Sequence, residues 1–87
     1  MDYERIWTLT SGRIKAEIIL GQAPRSKAFF YDTRIFRPFT DPKTGQEKRA
    51  YTFGVKDLIH VAKLSLQAES WINHQLRNQK VVDLGRH

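Results

Sequence analysis

Three histidines are the first residues to weigh for chemistry. His60 and His74 lie far apart along a stretch of helical periodicity, and His87 stands at the end of the sequence. No pair is spaced four apart, and neither H-x-x-x-H nor H-E-x-x-H occurs, so the helical two-ligand face of a zinc site is missing. Asp57 and His60 are three apart and could touch on a helix, an arrangement that reads as surface decoration. Ser11, Ser26, Ser65 and Ser70 stand in no G-x-S-x-G context. There is no cysteine to serve as nucleophile, thiolate ligand or disulfide half. Glu17 and Asp32 could face each other across neighbouring strands as paired carboxylates. With Arg13, Lys15 and Arg34 beside them, salt bridges are the expectation instead. Gly54 stands alone rather than in a glycine-rich phosphate loop. The chain is therefore expected to be no enzyme and to carry no metal and no cofactor.

What remains is a set of cations interleaved with aromatic rings. The formal net charge is +6 and the isoelectric point near 10.0, a balance that favours polyanions as partners. Arg13, Lys15, Lys27, Arg34, Arg37, Lys48 and Arg49 fall on predicted strands or their borders, with Phe30, Phe36 and Trp7 close by. Single-stranded nucleic acid is commonly held this way: cations track the phosphates and flat side chains stack on unpaired bases. The nucleic-acid-binding candidates are Arg13, Lys15, Lys27, Phe30, Arg34, Phe36, Arg37, Lys48 and Arg49. A solvated charged face whose aromatics cover a dimer seam accounts for the same residues.

These side chains need a scaffold. Tyr3 to Thr10 reads as a first strand, and Ser11-Gly12 as a turn. Arg13 to Leu20 alternates strictly, with Ile14, Ala16, Ile18 and Leu20 on one face and Arg13, Lys15 and Glu17 on the other, the pattern of a half-buried strand. Ile19 breaks the pattern on the outer face. Lys27 to Arg37 is a third strand, with Tyr31, Thr33 and Ile35 inward and Phe30, Asp32, Arg34 and Phe36 outward; Pro38 is expected to end its pairing. Thr40-Asp41-Pro42-Lys43-Thr44-Gly45-Gln46 is a turn, since proline presets φ, aspartate bonds its own backbone and Gly45 tolerates positive φ. Glu47 to Phe53 is the fourth strand, with Tyr51 and Phe53 inward and Lys48 and Ala50 outward. A helix then starts near Val55 behind Gly54 as N-cap. Leu58, Val61, Ala62, Ser65, Ala68, Ile72 and Leu76 follow its spacing. Residues 81–87 lack periodicity and read as a flexible tail.

The expected fold is α+β: a four-stranded antiparallel sheet followed by one long C-terminal helix (ββββα), a single domain over residues 1–80. No apolar run is long enough to span a bilayer. Met1-Asp2-Tyr3-Glu4-Arg5 does not read as a secretory signal, and a cytoplasmic location is expected. A domain of 87 residues buries a modest core. With open sheet edges and Trp7, Phe30 and Phe36 on the outer face, it is expected to form a homodimer.

The passage Tyr31-Asp32-Thr33-Arg34-Ile35-Phe36, then Asp41 to Gly45, then Lys48-Arg49-Ala50-Tyr51-Thr52-Phe53 leading into a helix, resembles the transcriptional coactivator family called positive cofactor four and its bacterial relatives. In that family an I-D-I-R-E-Y strand precedes a D-P-E-G turn, basic residues, a G-I-S-L strand and a helix. The likeness covers about Arg13 to Ile72. It implies a dimer that grips single-stranded DNA or melted duplex along its sheet, with Arg34 as a DNA contact and Lys27 near the family's lysines. Arg37 and Arg25 stand where the family carries aromatic stacking platforms, so stacking would fall to Phe30, Phe36 or Trp7. The sequence thus points to a non-enzymatic module for single-stranded nucleic acid, DNA favoured over RNA, acting in transcription, replication or repair. A protein-interaction subunit docking through sheet edge and helix, and an RNA-binding protein, stay open beside it.

Overall fold

Period-two alternation puts Ile14, Ala16 and Ile18 on one face of a strand that has a neighbour along each edge. The computed structural model describes residues 2–26 and 28–85, and the side chains of 4–26 and 28–78. Strands Asp2–Ser11 (β1), Ile14–Gln22 (β2), Phe29–Thr40 (β3) and Glu47–Ala50 (β4) form one antiparallel sheet in the order β1-β2-β3-β4. A 3₁₀ turn over Val55–Asp57, behind Gly54 as N-cap, leads into helix α1, Leu58–Gly85. The fold is α+β, a four-stranded antiparallel sheet followed by a single C-terminal helix. Lys27, the expected start of the third strand, lies outside the described residues, as do 86–87 of the expected tail.

Ile14, Ala16 and Ile18 are fully buried on the helix side of β2. Leu64 of α1 packs on Ile14 and Ala16, with Leu9, Ile35, Phe53 and Val61 around them. The helix face expected to pack on the sheet is partly corrected: Val61 and Ala68 are there, but Leu58 and Ala62 are exposed, and Leu64 occupies the centre. Trp7 is corrected too. It lies on the helix side, its ring stacked on Trp71 with centroids 6.0 Å apart. The cause is the register from the β1–β2 turn, which runs unbroken from Ser11 opposite Ile14 to Trp7 opposite the buried Ile18; a β-bulge between Arg5 and Trp7 then shifts the register by one residue, so Arg5 faces the other way.

β3 overruns its expected end. Pairing of β3 with β2 stops at Lys15 opposite Phe36, and from Arg37 to Thr40 its partner is β4. Pro38 therefore sits where β3 is bordered on one side only, and its missing N–H need not break a ladder. β4 is shorter than expected, ending at Ala50, and Tyr51 is exposed rather than inward. Its facing is also the reverse of the expectation. Arg49 opposes Pro38 and Glu47 opposes Thr40 on the outer face, while Lys48 and Ala50 oppose Phe39 and Arg37 on the helix side. The intervening turn forms as its residues dictate. The Asp41 carboxylate accepts the Lys43 amide at 2.9 Å, Gly45 takes φ 72°, and its N–H donates to Asp41 O at 2.8 Å.

The start of the helix is fixed to the β1–β2 turn. Asp57 accepts two hydrogen bonds from Arg13, from Nε and Nη2, each 2.8 Å, and one from the Gly54 amide at 3.3 Å. One turn further on, His60 Nδ1 and Ser11 Oγ share a hydrogen bond of 2.8 Å. Gly12 adopts φ 58°, and a Cβ on it would lie 2.7 Å from His60 Nε2, so the imidazole occupies the space a side chain would need.

Truncating the centre of this core should be costly. Ile18→Ala is expected to lose about 2–5 kcal/mol of unfolding free energy in urea titrations, as buried truncations do. A loss within error of zero would contradict the burial of Ile18.

Candidate nucleic-acid interface

The face of the sheet away from α1 is set by register. Opposed residues of antiparallel strands share a face, so Lys15 with Phe36 and Glu17 with Arg34 point outward, together with Ile19, Asp32 and Phe30. From β1 the bulge adds Arg5, opposite Ile19, to the same face. From β4 come Arg49 and Glu47.

Glu17 organises this face. It is 4% exposed although it projects from the outer side. Arg49 reaches it through Nη1 at 2.7 Å and Nη2 at 3.1 Å, and Arg5 through Nη1 at 3.0 Å. The acid is thus gripped from β1 and from β4, and the expected salt-bridge reading of Glu17 holds with partners other than those expected. Asp32 is not beside it, since Asp32 opposes Ile19. Arg49 also lies over Phe36, its Cζ 4.1 Å from the ring centroid. Phe36 is 4% exposed, so it is no open platform for a base. Phe30 packs its ring onto Gly21 across the strands, where a Cβ would collide with it.

The sequence-derived candidates divide accordingly. Lys15, Arg34 and Arg49 share the outer face with Phe30 and Phe36. Arg13 leaves it, bound to Asp57 beneath the helix start. Arg37 leaves it as well: it faces the helix side, contributes to the field at Asp57, and lies 5.8 Å over the Phe39 ring. Lys48 points to the helix side by register and holds Asp41 at 3.0 Å. Lys27 lies outside the described residues. Arg5 was missed because its place on this face depends on the bulge.

Between these side chains is a shallow pocket of about 220 Å³ bordered by Arg5, Thr8, Lys15, Glu17, Phe36 and Arg49, and closed towards β4 by Pro38, Glu47 and Lys48, so Lys48 borders this pocket although its register faces the helix side. Among the described residues Lys15 and Arg34 have no ion-pair partner, so their charges are uncommitted. No group of three or more His, Cys, Asp or Glu placed to hold a metal occurs among the described residues. No described helix is long and apolar enough to cross a membrane. No protein-family model, curated protein or solved structure matches the chain.

The two buried carboxylates are held ionised. Hydrogen bonds from Arg49 first, then from Arg5, keep Glu17 below its ordinary range against the opposing effect of burial. The Arg13 hydrogen bonds do the same for Asp57. Folded values below the unfolded ones mean that the folded chain binds fewer protons. Their stabilisation is complete above the unfolded carboxylate values and is lost as pH falls through the folded ones. Unfolding free energy should therefore be nearly level from about pH 7 to about pH 5 and drop below about pH 4. Glu17→Gln should make that drop shallower in denaturant titrations across the same range. Identical slopes for the two proteins would show that Glu17 is not held ionised by the fold.

Proposed function

We propose that this protein binds single-stranded nucleic acid, DNA in preference to RNA, along the outer face of its sheet, without enzymatic activity. The observation that carries the reading is the state of the charges there. Glu17 is already neutralised by Arg5 and Arg49, while Lys15 and Arg34 project from neighbouring strands with no described partner. Strands lie about 4.8 Å apart, so these cations sit at spacings a phosphate backbone can follow. With Phe36 covered by Arg49, phosphate contact outweighs base stacking, and little sequence selectivity is expected. The resemblance to positive cofactor four supports the same face through Asp32 and Arg34. A cytoplasmic role in transcription, replication or repair accords with it.

A second reading has its own observation. Val55, Ile59 and Leu66 of the 3₁₀ turn and helix are 83%, 60% and 67% exposed, apolar surface that suits docking on a larger protein. Salt separates the two readings, since phosphate contacts release counterions and apolar docking does not. Lys15→Ala with Arg34→Ala should weaken binding of labelled single strands of any sequence about equally, and flatten the slope of log affinity against log salt by about one to two. Unchanged affinity in a folded double variant would remove this face, and no wild-type binding at low salt would favour the docking reading.

A further inference from the structure

β3 is longer than anything that pairs with its outer edge. β4 covers only Arg37–Thr40 of a strand that runs Phe29–Thr40, and among the described residues nothing pairs with Phe29–Phe36 on that edge. Such an edge is a template for another strand. The helix leaves it accessible on the inner face. A groove of about 330 Å³ lies between α1 and β3, lined by Thr33, Ile35, Ser65, Ala68, Ile72 and Asn73. The chain is also drawn out: its radius of gyration is 16.2 Å, against about 12 Å for a compact domain of this length.

We propose that a second copy of this chain pairs with the open edge of β3, strand to strand and antiparallel, about a two-fold axis at Thr33. The register follows from charge and from facing. Centred on Thr33, Asp32 of each copy meets Arg34 of the other on the outer face, Tyr31 meets Ile35 on the inner face, and Phe30 meets Phe36. Among the described residues neither Asp32 nor Arg34 has an ion-pair partner within its own chain. Opposite charges directly across an antiparallel pair are favourable and like charges are not. Sliding the axis to Asp32 sets two aspartates face to face, and sliding it to Arg34 sets two arginines so. Axes between residues pair the outer face of one copy with the inner face of the other, which a continuous core-backed sheet does not allow. The length fits as well: residues 30–36 pair with 36–30, and the pairing stops where β4 begins at Arg37. The interface is isologous, as a closed dimer requires. It joins two outer faces into one surface, on which the forked Arg34 guanidinium can bond Asp32 of the second copy and still offer donors outward. It stands whether or not that surface binds nucleic acid.

The absence of cysteine makes the axis directly testable. Opposed residues of an antiparallel pair have Cα atoms about 4.5–5.5 Å apart, within the span of a disulfide. Thr33→Cys should form a covalent dimer under mild oxidation at micromolar concentration, and Leu66→Cys, on the exposed helix face, should not. In sedimentation equilibrium the wild type should show twice the 10.2 kDa chain mass. Asp32→Arg should weaken association about tenfold or more, and Asp32→Arg with Arg34→Asp should restore it. A wild type monomeric up to about 100 µM overturns the proposal. So does Leu66→Cys cross-linking as readily as Thr33→Cys, or a folded double swap that stays as weak as the single variant. If Asp32→Arg fails to fold by circular dichroism, the cross-linking pair decides alone.

Discussion

The bidentate bond between Arg13 and Asp57 sets where the helix begins, and most of the remaining architecture follows from that. Asp57 is 2% exposed, so its charge must be met by a partner placed to receive it, and two 2.8 Å bonds from one guanidinium do so. The pair lies over the β1–β2 turn, and the Ser11–His60 hydrogen bond with Gly12 beneath the imidazole fixes the next turn of helix to the same place. A helix anchored there runs over Ile14, Ala16 and Ile18 and along the Trp7–Trp71 contact. It covers the β1–β2 half of the sheet well and β3 less closely, which is why a groove opens on that side. Anchoring one end by charge rather than by shape thus decides which strand is left underdressed.

The two faces of the sheet solve the same problem by different means. On the helix side an aliphatic cluster excludes water. On the outer side Glu17, Ile19 and Phe36 are buried, and Glu17 and Phe36 are met by arginines from strands that do not pair with each other. Arg5 and Arg49 cover Glu17 with their donors, and the Arg49 guanidinium also lies over the Phe36 ring. Arginine suits this place because its long stem shields apolar surface while its head stays wet. The consequence is a solvent-facing layer that is ordered without being apolar, in which Lys15 and Arg34 have no ion-pair partner among the described residues.

How far this was legible in the sequence depended on the range of each signal. The alternation of Ile14, Ala16 and Ile18 is local and unambiguous, so the central strand, its buried face and the ββββα order were readable. The Asp41 to Gly45 turn was readable for the same reason. The packing face of α1 was not, because Leu58, Ile59 and Ala62 are as apolar as Val61, Leu64 and Ala68, and only the anchor at Asp57 chooses between them. Pro38 misled because a proline ends pairing only where its N–H is needed. The facing of Lys48 and Arg49 required a register that spans the turn. Glu17 could be given a salt bridge from its neighbours, but Arg5 and Arg49, 12 and 32 residues away, could not be chosen without the sheet.

The bulge in β1 has a further meaning as a matter of parity. In an uninterrupted strand Arg5 and Trp7, two positions apart, would be condemned to the same side. Here one must reach Glu17 beneath the sheet and the other Trp71 above it. The extra residue at Ile6 turns an even step into an odd one, so a single strand serves two masters on opposite sides. Were Ile6 deleted, Arg5 and Trp7 would become neighbours in a regular strand and still face opposite ways. Were Ile6 kept but paired regularly, the two would fall on one face, and either the stacked tryptophans or the clasped glutamate would be lost.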